Sequence, residues 1–509
     1  MPSLSSSEVD RFRGIIATRL GLHFDDSGLG QLAEVLRRRL KAHGQECGVY
    51  LAHVESRLMP RSELGALASE LTVGETYFFR NPDHFRALTE IVVPARMRAQ
   101  HGTRSLQVLS AGCASGEEAY TLAIVLRENL DPSWQLSIKA VDINPAMIEK
   151  ARRARYSTWA LRATDAEVQR RWFKQEDRDF ALDRAVSKAV VFEERNLTED
   201  DADLWKPESY DFVFCRNVLM YLEPAAAQAT VKRIARSLAP GGYLFIGHAE
   251  TLRGLSGDFH LEHTHGTFYY RRRTKHDPVE RGRQGAAYEP ALASPLPPLS
   301  ALVEGADTWV DAIRSSSDRI LELTRTSPEP PAPDSPRDET ARWDLGRSLE
   351  LLQKERFSDA WDSVQTLPPE SAGDPEVLLL RAVLLTHNGR LEGAEALCHE
   401  LLAIDEFNSG AHYLLALCRE GFGDQAGAVE QDQIAVYLDP SFAMPRLHLG
   451  LIARRTGDSA TARREFGDAF LLLQREDTSR LLLFGGGFGR EALIALCRAE
   501  IVSCGDGTQ

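Results

Sequence analysis

The stretch Leu109-Ser-Ala-Gly-Cys-Ala-Ser-Gly-Glu-Glu-Ala-Tyr120 puts two glycines and two acids where an apolar run gives way to a helical pattern. Gly112 and Gly116 let the backbone turn sharply beside a ligand, at the carboxyl end of a strand where open α/β sheets bind. The spacing is G-x-x-x-G followed by Glu117 and Glu118, not the G-x-G-x-x-G of a dinucleotide fingerprint. Two carboxylates at that helix start repel a diphosphate and suit a ligand carrying positive charge. Asp142 ends the next apolar run, 26 residues after Gly116, positioned for its carboxylate to accept both hydroxyls of a ribose. S-adenosyl-L-methionine, leaving as S-adenosyl-L-homocysteine, fits these requirements. Asn196-Leu197 follows the run VVFEER, and Cys215-Arg216-Asn217-Val218 follows YDFVF, so further polar groups gather at strand ends. An Asn there offers a donor and an acceptor to an adenine or amino-acid group. Taken singly, each of these residues also reads as a loop cap. The seven cysteines (47, 113, 215, 398, 418, 497, 504) never form C-x-x-C, so neither a disulfide framework nor a metal site is expected.

The elements that must position these residues follow from periodicity. Apolar residues at helical spacing, such as Leu32, Val35, Leu36 and Leu40 and then Leu64, Leu67 and Leu71, give a small helical domain over 1–90. From Ser105 the runs LQVLSAG, IKAVDI, AVVFEE, YDFVFCRN, YLFIGH and TFYYRR alternate with helical patterns. That alternation predicts a doubly wound α/β Rossmann-like domain over 91–273. Ten of the 24 prolines fall between Thr274 and Thr340, a Pro-rich linker, within which Trp309, Ile313, Ile320 and Leu323 keep the spacing of a short docking helix. Beyond it Gly389, Gly423 and Gly457 are 34 apart, as are Ala360, Ala394, Ala428 and Ala462, and Ser348, Ala382, Ala416 and Gly450. This all-α array resembles tetratricopeptide repeats, four over 341–474, the first degenerate because Glu355 replaces the turn glycine. Residues 475–509 then read as a capping helix and tail.

Four ordered segments carry a further resemblance: Thr72-Val-Gly-Glu-Thr-Tyr-Phe-Phe-Arg80, Ser115-Gly-Glu-Glu-Ala-Tyr120, Phe214-Cys-Arg-Asn-Val-Leu-Met-Tyr221 and Gly247-His-Ala-Glu250. Over about residues 8 to 273 the chain resembles the CheR-type chemotaxis methyltransferases. The resemblance implies transfer of methyl groups from S-adenosylmethionine to glutamate side chains of bacterial chemoreceptors, and a small β-subdomain inserted in the catalytic sheet. Carried over by position, it implies a cofactor site of Thr76, Arg80, Glu117, Asp142, Asn196, Leu197, Cys215 and Arg216, to which Gly112 and Asn217 belong by the reading above. Gly74 stands where some relatives carry Asn. The resemblance assigns Tyr221 to the active site, and Arg80 with Tyr221 is expected to orient the carboxylate and the sulfonium. Tyr77, Phe78 and Phe79 are expected to pack between domains, and His248 to be structural. Relatives meet receptor helices through a basic face that Leu36-Arg-Arg-Arg-Leu-Lys41 would supply. Some relatives also hold a receptor tether in a Gly-rich loop, whereas Trp172–Arg184 contains no glycine, which points to a tether-independent form.

A net charge of -14, from 60 Lys plus Arg and 74 Asp plus Glu, argues against nucleic acid as a partner. The charge is unevenly spread: residues 1–273 hold 37 basic and 36 acidic side chains, so the acidity belongs to the linker and repeats. The start lacks a signal-peptide pattern and no apolar run is long enough to insert in a membrane, so a cytoplasmic protein is expected. The repeats are expected to hold an unidentified protein partner or the chain's own catalytic domain. A methyltransferase for RNA or a small molecule, and an adaptor with a decayed catalytic domain, are the competing readings.

Overall fold

Strands buried on both faces need no polar alternation, which is why the apolar runs of the sequence coincide with the central sheet. The computed structural model describes residues 4–56, 59–248, 250–274, 308–311, 313, 360, 364, 373–486 and 488–504. These fall into two units, Met1–Asp277 and Pro278–Gln509. In chain order the strands of the first unit are β1 (Ser105–Ala111), β2 (Gln135–Asp142), β3 (Arg155–Ser157), β4 (Phe173–Glu176), β5 (Asp179–Leu182), β6 (Val190–Glu194), β7 (Tyr210–Cys215), β8 (Leu238–Ile246), β9 (Phe259–Thr264) and β10 (Thr267–Arg272). Seven form one sheet in the order β6-β2-β1-β7-β8-β10-β9. β6, β2, β1, β7 and β8 run parallel, and β10 is antiparallel to both neighbours. The order reverses between β1 and β7, so the site loops after β1, β2 and β7 converge at this switch point.

The helices are α1 (Ser6–Leu20), α2 (Leu29–His43), α3 (Cys47–Glu55), α4 (Arg61–Leu71), α5 (Pro82–Ala87), α6 (Val93–Ala99), α7 (Glu117–Asn129), α8 (Pro145–Arg153), α9 (Ala166–Trp172), α10 (Arg184–Ser187) and α11 (Pro224–Ser237). The first four make the helical N-terminal region, in which Phe12, Ile16, Leu32, Val35 and Leu36 are buried. A buried ion pair, Arg96 to Asp211 at 2.8 Å, ties α6 to β7.

The inserted β-subdomain is the antiparallel sheet β3-β5-β4. Phe78 is fully buried and meets Tyr156 of β3 and Phe173 of β4 edge-on, at 4.8 Å and 5.0 Å between ring centroids. Phe78 therefore packs on this subdomain, while Phe79 meets the Phe85 ring of α5 at 6.0 Å. In the basic segment of α2, Arg38 pairs with Glu34 and Glu70 at 2.6 Å each, and Arg39 pairs with Glu63 and Glu70. Arg37 and Lys41 stay exposed. Half of the expected receptor-facing charge is thus spent inside the domain.

The second unit contains the helix pairs Pro375–His387 with Leu391–Ile404, Ser409–Gly421 with Gln425–Leu438, and Ala443–Arg455 with Ser459–Leu473, each starting 34 residues after the last. Gly389, Gly423 and Gly457 sit between paired helices at φ of 67°, 80° and 80°, where a side chain would be strained. Ala394, Ala428 and Ala462 are fully buried at the crossings. Helices Thr478–Phe484 and Arg490–Ser503 follow. The linker, apart from Thr274, 308–311 and 313, and nearly all of the degenerate first repeat lie outside the described residues, as do Ile320 and Leu323. Among the described residues no helix is long and apolar enough to cross a membrane.

Candidate active site

β1 and β2 end side by side, with Ala111 paired to Val141, and the chain then turns at Gly112. Gly112 adopts φ of 79°, and a Cβ there would lie 2.3 Å from Val218 Cγ2, so only glycine lets the loop after β7 approach. The resulting cleft, about 220 Å³, lies between the N-terminal helices and the carboxyl ends of the strands. It is lined by Thr76, Arg80, Gly112, Asp142, Asn196, Leu197, Arg216, Asn217 and Tyr221 of the residues singled out from sequence. Two others lie outside the lining. Glu117 is turned into the protein, its carboxylate taking the Ser115 hydroxyl at 2.8 Å, and Cys215 is fully buried at the end of β7. The cleft carboxylate from the start of α7 is instead Glu118, which sequence reasoning noted but did not select.

Asp142 receives the backbone N–H of Ala114 on one oxygen and of Asn144 on the other, both at 2.9 Å. The bonds splay the loops after β1 and β2 around it. Burial raises its pKa above the usual aspartate value, against the pull of those N–H donors. Glu118 is also raised by burial, opposed by Arg216 at 3.3 Å and by the Ser110 hydroxyl at 2.7 Å. Both carboxylates therefore gain from a cationic group in the cleft, a direction of charge that matches a sulfonium or an ammonium.

Arg80 sits in a strained turn. Phe79 and Asn81 on either side have φ of 56° and 60°, uncommon for residues with a side chain. Four bonds hold the turn: Phe78 N–H to the Ala160 carbonyl at 3.0 Å, Phe79 N–H to Thr121 Oγ1 at 3.2 Å, Arg216 Nη2 to the Arg80 carbonyl at 2.7 Å, and His84 N–H to the Asn81 carbonyl at 3.1 Å. The Arg80 guanidinium gives one bond to the Glu75 carbonyl at 3.2 Å and lies 5.8 Å from the Tyr77 ring. Arg216 is nearly sealed from solvent, its pKa lowered by burial and restored in part by Glu118. Its Nε–H has no partner among the described residues.

Asn196 is largely engaged: its Oδ1 accepts the Thr198 N–H at 3.0 Å and hydroxyl at 2.8 Å, and its Nδ2 donates to the Arg19 carbonyl at 3.3 Å. The last of these bonds joins the loop after β6 to α1. The space that a side chain at Gly74 would take is filled by Met147, whose Cε lies 2.8 Å from a Cβ built there. Met147 and Gly74 both line the cleft.

Glu250, noted in the sequence only as part of a motif, organises the loop after β7. Its Oε2 accepts the N–H groups of Asn217 and Gly247 at 2.6 Å each, and its Oε1 those of Val218 at 2.8 Å and Met220 at 3.3 Å. Gly247 must lack a side chain, since a Cβ would lie 2.8 Å from that carboxylate. The loop so fixed presents Tyr221, which is 43% exposed and whose hydroxyl makes no hydrogen bond among the described residues. The Tyr221 carbonyl accepts the His23 N–H at 2.8 Å, tying this loop to the N-terminal region. His248 stacks on His84 at 5.3 Å, and burial together with Arg216 lowers its pKa, which keeps it neutral. At the rim Arg162 is held between Tyr77, 3.7 Å away, and Trp159, which is 69% exposed.

Comparison with known proteins agrees with this geometry. Residues 74–268 match the family described as CheR methyltransferase, SAM binding domain. The chain is 27% identical over 472 residues to a probable biofilm formation methyltransferase, WspC, of Pseudomonas aeruginosa, covering 89% of this chain and 96% of that protein. It is 28% identical to chemotaxis protein methyltransferase 2 of Vibrio cholerae, covering 55% of this chain and 98% of that protein. It is 30% identical to the chemotaxis protein methyltransferase of Salmonella typhimurium, covering 51% of this chain and 88% of that protein. A glycine turn at a switch point, a cleft of matching charge and relatives covered almost end to end lead to one assignment: the chain belongs to the CheR family of S-adenosylmethionine-dependent protein methyltransferases.

Proposed function

We propose that the chain methylates glutamate side chains on the cytoplasmic helices of chemoreceptor-type proteins, forming methyl esters. The observation that carries this is the pairing, in one cleft, of two half-buried carboxylates, Asp142 and Glu118, with two available donors, Arg80 and Tyr221. S-adenosylmethionine supplies a methyl group on a positively charged sulfur. Asp142, Glu118, Asn217, Thr76 and the Gly112 turn would hold it, and the buried unpartnered Nε–H of Arg216 is a further donor at that site.

The substrate carboxylate is ionised at neutral pH, its reference pKa being about 4.3, so no general base is required. The neutral His248 fits a chemistry in which it has no proton to take. What the chain supplies is placement. The Arg80 guanidinium and the Tyr221 hydroxyl can each donate to a carboxylate oxygen. The transfer neutralises charge, so a donor that clamped the anion in the ground state would raise the barrier. An Arg80 already committed in part to the Glu75 carbonyl orients the carboxylate without that cost.

Exposed side chains at the rim, Trp159, Met220 and Val73, suit contact with a protein substrate. The turn between β4 and β5 is made by Asp177 at φ of 56° with no glycine, which supports a receptor lacking a C-terminal tether. The reading is tested by incubating the full chain with labelled S-adenosylmethionine and receptor-bearing membranes. Alkali-labile label on the receptor is expected. Label on RNA or a metabolite, or no label at all, would overturn it.

A further inference from the structure

The inner face of the repeat unit is already covered. On helix Ser409–Gly421 the residues Gly410, Tyr413, Leu417 and Glu420 share one stripe by their spacing. All four are buried, Tyr413 fully. Part of the cover comes from Phe484, whose ring would lie 2.7 Å from a Cβ at Gly410. The rest comes from residues 308–313, which precede the repeats by sequence. Trp309 is fully buried, with Val310 3% and Ile313 1% exposed. The Trp309 indole N–H donates to the Tyr413 hydroxyl at 3.2 Å, and its backbone N–H donates to Glu420 at 3.0 Å. Its ring tilts against Phe488 at 5.5 Å, and Ile313 fills the space beside Gly486. Thr308 caps the turn by accepting the Asp311 N–H at 3.0 Å.

Two features mark this segment as something bound to the stack rather than a part of it. Extending the 34-residue period backwards puts Arg314 at the small-residue position, Leu321 at the turn glycine and Thr326 at the crossing alanine, so no further repeat begins here. In a stack of repeats each unit touches only its neighbours. Trp309 instead reaches Tyr413 and Glu420, past the units that begin at 341 and 375. The receiving site is itself built: Glu420 also pairs with His448 at 3.1 Å and with Arg455, and His448 pairs with Asp432 at 2.7 Å. An aromatic slot and a carboxylate aimed at a helix start recognise one kind of ligand.

We propose that residues 308–313 are a resident ligand of the repeat groove, exchangeable for a protein helix with an aromatic residue in its first turn and an aliphatic one four positions on. Because the resident is tethered, its effective concentration is of order millimolar, and a competitor must overcome that.

The test uses a synthetic peptide of residues 305–320 and the full chain. Trp309→Ala is expected to bind the peptide at least tenfold more tightly than the wild-type chain, and a peptide carrying the same substitution is expected not to bind. Equal affinities, or no binding to a Trp309→Ala chain with native helix content, overturn the proposal. Hydrogen exchange on the unaltered chain gives a second readout if that variant misfolds. The amides of 309–313 are expected to exchange faster than those of Leu414–Leu417, and faster again with excess peptide. Exchange of both segments at a single rate, unmoved by peptide, overturns the proposal equally.

Discussion

Replacing Glu250 by Gln separates a positioning role from a merely buried one. The carboxylate accepts four backbone N–H groups, two on each oxygen, and is 5% exposed. Glutamine has one acceptor oxygen, so two of the four donors then face an NH₂ group. The cheapest arrangement keeps the two 2.6 Å bonds to Asn217 and Gly247 and gives up Val218 and Met220. Losing the 2.8 Å bond from Val218 to a charged acceptor costs about 1.5–3 kcal/mol, and the long Met220 bond adds less. The Val218 N–H left buried brings the total to about 3 kcal/mol, a factor of roughly 100 if the whole sum appears in the barrier. The loss falls on the turn that carries Tyr221, while the Asn217 side stays tethered. Steady-state methyl transfer at saturating cofactor should therefore show kcat reduced about 30–100-fold, with calorimetric cofactor affinity changed less than about threefold. Glu250→Ala, which frees all four donors, should lower both. A Glu250→Gln enzyme with kcat within threefold of wild type would refute the reasoning.

Arg80→Ala should lower kcat/KM by about 100-fold, and wild-type turnover would remove its proposed role. Tyr221→Phe, which keeps the ring and removes only the donor, should cost about tenfold in kcat with unchanged cofactor affinity. Asp142→Ala should weaken calorimetric cofactor binding by at least tenfold. Since burial raises the Asp142 and Glu118 pKa values, wild-type affinity should fall as pH drops toward the carboxylate range, beginning above the ordinary values, and Asp142→Asn should flatten that dependence. In the repeats, burial pulls the His448 pKa down but the Asp432 and Glu420 carboxylates outweigh it and raise it. Stability from that ion pair is present below the unfolded histidine pKa and lost as pH rises through the folded value. Alkaline pH should thus lower the unfolding midpoint of wild-type repeats and leave that of a folded His448→Gln variant nearly constant.

The strands of the parallel sheet were legible because each carries a short apolar stretch. β9 was not, since at the sheet edge only Phe259 of its six residues is buried and the rest read as loop. The 34-residue period was legible for the same reason that it works, glycine at a left-handed turn and small residues at a crossing. Within the site, sequence located the glycine turn and the aspartate but not the choice between adjacent acids. Which of Glu117 and Glu118 faces the cleft depends on the phase with which α7 leaves Gly116, at φ of 92°, and no local pattern encodes that phase. Cys215 illustrates the opposite limit. It ends a strand buried along its whole length, so its side chain joins the core while Arg216, one residue on, reaches Glu118. Glu250 escaped because its partners are backbone groups, three of the four some 30 residues away, which leave no trace in residue type.

The pairing of Arg38 and Arg39 with Glu34, Glu63 and Glu70 bears on ionic strength. Charges balanced within a helical domain contribute little field beyond a Debye length of about 8 Å at physiological salt. With Arg37 and Lys41 left exposed, any acidic partner meeting α2 would find only two uncommitted charges there, and its binding would weaken only gently on raising salt. A contact built on so few free charges persists through swings in ionic content that would strip a polybasic one away.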